Sequence, residues 1–217
     1  MKVRQLYSGS RTSGYVIEDK WFLKVYHDTR IIKGFDNLFL RAKPENEYFF
    51  SRFLLKSGIP TTEAVSCRVV KRFGFLPLNV GFVKFKYLKG LTPIDKLLNS
   101  ENFANLFLRA LDVAAALHEI SVRHGDLAVS NFGVFSGKVY IFDLGSAKRV
   151  FHPYFAHRET FRLLHDLYKL CKREGLNFDF RELFNYYLSE ISMRSFLKRK
   201  LEKDFVEYAR ERGMVRE

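Results

Sequence analysis

The chain has 217 residues, 47% of them hydrophobic, so it can bury the core of one good-sized domain or of two small lobes. Its 37 basic and 24 acidic residues give a formal net charge of +13, which predicts a surface that attracts anions such as nucleotides, phosphorylated glycans, anionic lipids or RNA. Cys67 and Cys171 are far apart, which argues against a disulfide framework and a cysteine-based zinc site and favours a reducing compartment.

The sequence contains no stretch with the length and apolarity of a membrane-spanning helix, because charged residues interrupt every long apolar run. Residues 1–11 carry charges early and lack the apolar core of a signal peptide. We therefore predict a cytoplasmic protein without a transmembrane segment. Peripheral contact with the inner face of a membrane stays open, because a basic surface attracts anionic lipids.

The first part of the chain has the pattern of a small β-rich lobe. Strands are predicted at residues 3–7, 15–17, 21–26, 66–70 and 80–87, where apolar residues alternate between turn signals. One helix is predicted over residues 44–56, because apolar residues recur there at helical spacing and Gly58 follows as a stop. Residues 1–89 are predicted to form this lobe, with a hinge at 88–90.

The second part of the chain, residues 90–217, is predicted to be mainly helical. Helices are predicted at residues 93–98, 103–120, 159–173, 180–187 and 193–212, and a β-hairpin at 132–135 and 138–142. The expected fold class is therefore α+β, with a small β-rich N-terminal lobe that contains one helix and a helical C-terminal lobe into which a hairpin is inserted.

The segment HGDLAVSN at 124–131 carries the first candidate catalytic residues. Asp126 lies in a loop after the long predicted helix, and Asn131 follows five positions later. This spacing is that of a kinase catalytic loop, in which the aspartate orients the attacking hydroxyl group and the asparagine binds magnesium. An aspartate in a turn is common, so Asp126 alone would not indicate a function.

A second carboxylate follows the predicted hairpin. Asp143 ends the apolar stretch at 139–142, and Gly145 lies two residues beyond it. A hard carboxylate oxygen at this position suits Mg²⁺, and the order of Asp126, Asn131 and Asp143 is that of a phosphoryl-transfer site. The three residues together predict a phosphotransferase that uses ATP and Mg²⁺.

These motifs resemble those of the protein-kinase-like superfamily over roughly residues 8–170. The segments NEYFFSRFLLKSGIPT at 46–61 and HGDLAVSNFGV at 124–134 look most like lipopolysaccharide core kinases, which phosphorylate heptose or Kdo sugars. The HGDLxxSN pattern is also similar to RIO-type kinases and to the small kinase of the tRNA threonylcarbamoylation complex. The resemblance implies a bilobal kinase-like fold whose N-terminal lobe, residues 1–89, binds the nucleotide.

The resemblance also implies roles for residues of the N-terminal lobe. Lys24 matches the strand lysine that holds the α- and β-phosphates, and Glu47 matches the helix glutamate that pairs with this lysine. A lysine buried on an apolar strand needs such a carboxylate partner. Glu45 is an alternative partner, because it lies in the same predicted helical turn as Glu47.

A short glycine-containing turn lies between the first two predicted strands. The segment at 8–14 contains Gly9, Ser10 and Gly14, which we interpret as nucleotide-binding residues that offer backbone N–H groups or hydroxyls to phosphates. It has two glycines, whereas the kinase loop has three. By itself the segment would be a hairpin turn.

The sequence leaves the acceptor open. The stretch between Gly145 and Asp166 contains no Ala-Pro-Glu motif and has little room for a long activation segment, which disfavours a conventional protein kinase. A lipopolysaccharide-core or related envelope sugar, as a phosphorylated glycan or glycolipid, is the leading hypothesis. The alternatives are a RIO-like or tRNA-modification-associated kinase or ATPase that contacts RNA, and a pseudokinase that binds nucleotide without catalysis. Asp166 is a candidate to hydrogen-bond the catalytic loop.

Overall fold

The structure is a computed structural model that describes residues 2–28, 41–72 and 76–215, with the exception of the side chains at 71–72 and 76–79. The chain divides into two compact units. Residues 1–90 and 142–147 form the first unit, and residues 91–141 and 148–217 form the second. The short segment that contains Asp143 therefore packs with the first unit, although the sequence pattern assigned it to the helical part of the chain.

The first unit contains a five-stranded antiparallel sheet. Its strands are β1 (Val3–Ser8), β2 (Thr12–Ile17), β3 (Trp21–Asp28), β4 (Ala64–Arg72) and β5 (Leu76–Lys86), in the spatial order β1-β2-β3-β5-β4. In the central strand β3, Lys24 pairs with Gly14 on one side and with Val83 on the other. Because side chains alternate between the two faces of a strand, Lys24 and Tyr26 share one face, and both are buried.

Helix α1 (Lys43–Lys56) covers the sheet of the first unit and packs on β4 and β5. The helix begins with a proline in its first turn and ends at Ser57 and Gly58, where the backbone turns left-handed. Its buried side chains include Glu47, Phe50 and Leu54, a helical spacing that puts all three on one stripe. An acidic residue therefore lies within the apolar face of the helix.

The second unit is mainly helical. Its elements are β6 (Thr92–Pro93), α2 (Phe103–Glu119), β7 (Val122–Arg123), β8 (Phe132–Phe135), β9 (Lys138–Ile141), β10 (Lys148–Arg149), α3 (Pro153–His157), α4 (Glu159–Glu174), α5 (Phe180–Glu190) and α6 (Ser195–Glu211). Strands β6, β8 and β9 form a three-stranded sheet, and β7 pairs with β10. The aromatic core joins three of the helices, since Phe184 of α5 stacks on Phe205 of α6 with ring centroids 4.0 Å apart and packs against Phe161 of α4.

The predicted elements are confirmed within a few residues at their ends, with one exception. The exception is the helix predicted at residues 93–98, which is confirmed only as a single 3-10 turn, Ile94–Leu97, because Thr92 and Pro93 pair with strand β8. The apolar spacing there reflects the burial of Ile94 in the core. A segment so short cannot form a stable helix by propensity alone, so its tertiary contacts decided its structure.

A buried cluster of two histidines and a tyrosine lies within the core of the second unit. The hydroxyl of Tyr187 is 2.7 Å from Nδ1 of His118 and 2.6 Å from Nδ1 of His157. A hydroxyl carries one proton, so Tyr187 donates to one ring and accepts from the other. Burial lowers the pKa of His157 to about 3 and also lowers the pKa of His118. Both rings are therefore neutral at pH 7.

Acid should destabilise the protein through His157. This residue binds a proton near pH 6.5 when the chain is unfolded, but only near pH 3 when it is folded, so unfolding takes up a proton between these values. We therefore expect the free energy of unfolding to fall by about 1 kcal/mol per pH unit as the pH drops from 6.5 to about 4.5. Urea titrations followed by circular dichroism measure this slope.

The variant His157→Gln should flatten the slope, because glutamine does not titrate. The matched control is His152→Asn, at an exposed position where asparagine can still cap α3, and this variant should keep the slope of the parent protein. An equally steep slope in His157→Gln would contradict the assignment.

Candidate active site

The ammonium group of Lys24 is the centre of an ionic cluster in the first unit. Only 6% of Lys24 is exposed. Its Nζ lies 3.2 Å from Oε1 of Glu47 and 2.7 Å from Oδ1 of Asp143. A buried ammonium ion is stable only when carboxylates compensate for its lost hydration, and here two carboxylates do so.

Glu47 is more deeply buried than either of its charged neighbours. Besides the ammonium group of Lys24, its carboxylate accepts hydrogen bonds from the hydroxyl of Tyr26 and from the backbone N–H of Leu144. Burial raises the pKa of Glu47 to about 7 against the opposing effect of Lys24. Burial alone would lower the pKa of Lys24, but Glu47 and Asp143 outweigh it and raise that pKa.

The alternative partner of Lys24, Glu45, has a different role. Its Oε2 accepts a hydrogen bond of 3.4 Å from the backbone N–H of Ala42, the residue before α1. This contact satisfies one of the N–H groups that a helix start leaves without a partner. Glu45 and Glu47 are two positions apart, so their side chains point to different sides of the helix.

Helix α1 also holds the backbone that carries Asp143. The side chain of Asn46 donates hydrogen bonds to the carbonyl oxygens of Gly145, at 3.1 Å, and of Ala147, at 2.6 Å. Asp143 itself has a φ of 62°, in the left-handed region that aspartate tolerates better than most residues. Its side chain is half exposed, so one side of the carboxylate faces Lys24 and the rest remains accessible.

The turn between β1 and β2 contains Gly9 and Ser10, two of the predicted phosphate-binding residues. The backbone N–H of Gly9 donates to the carbonyl of Thr12 at 2.9 Å, and Nε2–H of His27 donates to the carbonyl of Gly9 at 2.9 Å. Ser10 is exposed. The turn is therefore closed by hydrogen bonds from within it and from His27, and Gly9, Ser10 and Arg11 are all accessible.

The position of Gly14 in the sheet has no room for a side chain. A Cβ atom at this position would lie 2.3 Å from the ring of Tyr7 and 2.9 Å from the ring of Phe22. Burial raises the pKa of Tyr7, with Lys24 opposing and the neighbouring carboxylates reinforcing the effect. The aromatic ring of Tyr7 thus lies over Gly14, the residue that pairs with Lys24, where sequence reasoning did not place it.

Asp126 and Asn131 lie together in the second unit, in the loop after β7. The carboxylate of Asp126 is exposed. The Nδ2 group of Asn131 donates a hydrogen bond of 2.7 Å to the backbone carbonyl of Asp126, which leaves the amide oxygen of Asn131 as its acceptor end. This hydrogen bond connects Asp126 and Asn131, the two residues that the catalytic-loop spacing pairs in the sequence.

Two acidic residues of α4 hold the backbone of this loop. Glu159 is 1% exposed, and its two oxygens accept hydrogen bonds of 2.7 Å from the backbone N–H groups of His124 and Gly125. Asp166 accepts a hydrogen bond of 2.9 Å from the N–H of Val129, which confirms the expected contact of Asp166 with the loop. The sequence analysis missed Glu159, although an acid in the first turn of a helix is a recognisable signal.

The electrostatics of Glu159 favour its ionised form. Burial by itself would raise its pKa, but Nε2 of His118, 3.7 Å from Oε2 of Glu159, and the backbone N–H of His124 lower it. An ionised carboxylate accepts two backbone N–H groups more strongly than a neutral acid would. The backbone immediately before Asp126 is therefore fixed by a buried charged acceptor.

The predicted metal ligands are hard oxygen donors. Mg²⁺ is usually bound through one or two protein oxygens, its other positions going to water and phosphate, so the carboxylate of Asp143 and the amide oxygen of Asn131 fit its chemistry. Within residues 2–28, 41–72 and 76–215, no three or more His, Cys, Asp or Glu side chains group as a metal site.

No helix within residues 2–28, 41–72 and 76–215 is both long and apolar enough to span a bilayer.

Replacing Glu159 should destabilise the protein. In Glu159→Gln, the amide NH₂ group would face a backbone N–H, so one hydrogen bond is lost and a buried donor is left unpaired. We expect the free energy of unfolding to fall by about 1–3 kcal/mol, measured by urea titration. The control Glu174→Gln, at the other end of α4, should stay within about 0.5 kcal/mol of the parent protein. Equal stabilities of the two variants would refute the role of Glu159.

Comparison with known proteins gives the fold. No protein-family model matches this sequence, and no curated protein sequence matches it. The chain is similar to a solved structure of WaaP in complex with acyl carrier protein, with a TM-score of 0.64 and 12% sequence identity over 97% of this chain and 86% of that one.

The chain is also similar to a co-crystal structure of WbdD and the kinase inhibitor LY294002. That similarity has a TM-score of 0.54 and 15% sequence identity over 94% of this chain and 49% of the WbdD chain. At these identities the likeness establishes the fold and not the activity. The predicted α+β class is confirmed, and the chain has a protein-kinase-like fold.

Proposed function

We propose that the chain is an ATP- and Mg²⁺-dependent phosphotransferase that transfers the γ-phosphate to an alcohol group. The observation that carries this proposal is the buried Lys24 with Glu47 and Asp143 on its ammonium group. Burying a lysine together with two acids adds little to the stability of a fold, so such a cluster is expected where it has a function. Binding the phosphate oxygens of a nucleotide is a function that a kinase-like fold accommodates.

Each polar residue of the first unit then has a task. Glu47 holds the ammonium group of Lys24 in place, and Lys24 neutralises the α- and β-phosphate oxygens of the nucleotide. The exposed part of the Asp143 carboxylate offers oxygens to magnesium, as does the amide of Asn131 in the second unit. Gly9, Ser10 and Gly14 are proposed to border the phosphates. The bound metal-nucleotide supplies the γ-phosphoryl group and neutralises the charge that develops on it.

Asp126 is proposed to orient the acceptor. Its exposed carboxylate accepts the proton of the attacking hydroxyl group, while the backbone on both sides is fixed by Glu159 and by the side chain of Asn131. Because phosphoryl transfer depends mainly on position and charge, a fixed loop backbone suits this role.

The proposed acceptor is a lipopolysaccharide-core or related envelope sugar. Two observations support it: the similarity to WaaP, a lipopolysaccharide core heptose kinase, and the net charge of +13, which attracts phosphorylated glycans and glycolipids. The proposed place of action is the cytoplasm, at the inner face of the membrane. The basic residues are also compatible with RNA, which keeps a RIO-like or tRNA-associated kinase as the second candidate.

One experiment separates these candidates. Transfer of labelled γ-phosphate would be screened against sugars, glycolipids, tRNA and protein, with an Asp143 variant as the blank. Labelling of a glycan or glycolipid supports the first proposal, and labelling of protein in the presence of RNA supports the second. Nucleotide binding without transfer to any acceptor, and without dependence on magnesium, would identify a pseudokinase.

Asp143→Asn should abolish magnesium-dependent ATP turnover. Asparagine tolerates the left-handed backbone at this position, so the variant should fold, but the metal loses its carboxylate. The matched control is Asp19→Asn, which replaces another aspartate with positive φ in an exposed turn and should leave turnover unchanged. Turnover at the parental rate in folded Asp143→Asn would refute the metal assignment.

Asp126→Ala should lower kcat by a factor of about 10²–10⁴ and leave the affinity for ATP nearly intact, because Asp126 acts on the acceptor. Single-turnover kinetics measures the rate, and calorimetric titration measures the affinity. Lys24→Ala provides the contrast, since it should mainly weaken nucleotide binding. A similar loss of ATP affinity in Asp126→Ala would assign this residue to the nucleotide instead.

A further inference from the structure

Three phenylalanines of the second unit are exposed to solvent. Phe151 is 103% exposed, Phe155 is 55% exposed and Phe196 is 57% exposed. Phenylalanine is usually buried, and a group of exposed apolar side chains commonly marks an interaction site. These three lie outside the residues that the proposed reaction uses.

The contacts between α3 and α6 bring Phe155 and Phe196 to one surface, and Phe151 lies two residues before α3. Tyr154 donates a hydrogen bond to the carboxylate of Asp204, and the Nζ atom of Lys200 lies 5.3 Å from the centre of its ring. The ring of Phe155 packs edge-on against Tyr154, with centroids 5.8 Å apart. Phe196 precedes Lys200 by one helical turn and so lies on the same face of α6.

Basic residues accompany the phenylalanines. The segments 148–158 and 194–200 contain no acidic residue. They contain seven basic ones: Lys148, Arg149, Arg158, Arg194, Lys198, Arg199 and Lys200. Two acids contact these segments: Asp204 accepts a hydrogen bond from Tyr154, and Glu119 lies 3.8 Å from Nε2 of the buried His157. We call the three phenylalanines with these two segments the Phe–Lys face.

We propose that the Phe–Lys face binds the surface of an anionic lipid bilayer. Lysine and arginine are attracted to anionic headgroups, while phenylalanine side chains insert into the boundary between headgroups and acyl chains. A polyanion in solution would satisfy the charges of this face but would leave its three aromatic rings in water. An anionic bilayer offers negative charges to the basic residues and an apolar layer to the three aromatic rings. We therefore choose it as the occupant of this face.

This proposal rests on the proposed function and adds the surface on which the enzyme would encounter its acceptor. A kinase held on a bilayer encounters a membrane-borne glycolipid at a high effective concentration. Membrane binding is nevertheless measured without nucleotide or acceptor. It can therefore fail while phosphotransfer stands, and phosphotransfer can fail while membrane binding stands.

The test uses co-sedimentation of the full chain with vesicles. One set contains phosphatidylethanolamine and phosphatidylglycerol at about 3:1, and the other contains phosphatidylcholine alone. We expect binding to the anionic vesicles that weakens at high salt, and at least about tenfold weaker binding to the neutral vesicles. Binding to neither set, or equal binding to both, would overturn the proposal.

Substitutions locate the surface. The double variant Phe151→Ser/Phe155→Ser should reduce partitioning onto anionic vesicles by about tenfold or more, and its thermal unfolding should match that of the parent because both rings are exposed. The control Val3→Thr/Val70→Thr, which removes exposed apolar groups of the first unit, should bind like the parent. Parental binding by the double phenylalanine variant would overturn the proposal.

Two other occupants of this face are distinguished in the same series. If the face binds a soluble acidic partner, poly-glutamate should bind the parent as tightly as the anionic vesicles do, and the double phenylalanine variant should lose both. If the face binds a second copy of the chain, sedimentation velocity should give a dimer that Phe151→Ser/Phe155→Ser converts to a monomer. Either result would replace the bilayer as the occupant.

Discussion

The burial of one ammonium group is the constraint on which the first unit depends. Lys24 lies on the apolar face of the central strand, so the fold has to bring carboxylates to it. Helix α1 supplies Glu47 from its buried stripe, and the segment after β9 supplies Asp143. The position of α1 on the sheet and the path of 142–147 are therefore linked through Lys24.

The second unit also has polar groups that need hydrogen-bond partners, and here they are backbone N–H groups of a loop. A loop that presents an exposed carboxylate at Asp126 has N–H groups that must find acceptors. Glu159 accepts two of them and Asp166 accepts a third, both from α4. In each unit, a buried acidic residue at the first turns of a helix thus fixes the backbone or side chain that the proposed chemistry needs.

The elements that the sequence predicted have local signals, and the features that it did not predict depend on contacts distant in sequence. Helix α1 is bounded by Pro44 and Gly58, and the long helix α2 has strong apolar periodicity, so the limits of both could be predicted to within a few residues. The short turn at Ile94–Leu97 and the five-residue helix α3 have no such signal, because their neighbours in space hold them. Gly14 was interpreted as part of a phosphate loop, but its lack of a side chain also makes room for the ring of Tyr7.

The sequence by itself determined the order of the polar residues at the proposed site, the elements that carry them and the α+β class. Short-range spacing and periodicity encode these properties, so they can be read along the chain. The tertiary structure decided that Glu47 rather than Glu45 meets Lys24, that Asp143 shares this lysine, and that Glu159 holds the loop before Asp126. Each of these contacts joins residues more than 20 positions apart, and only the packing of helix on sheet or helix on loop brings them within hydrogen-bonding distance.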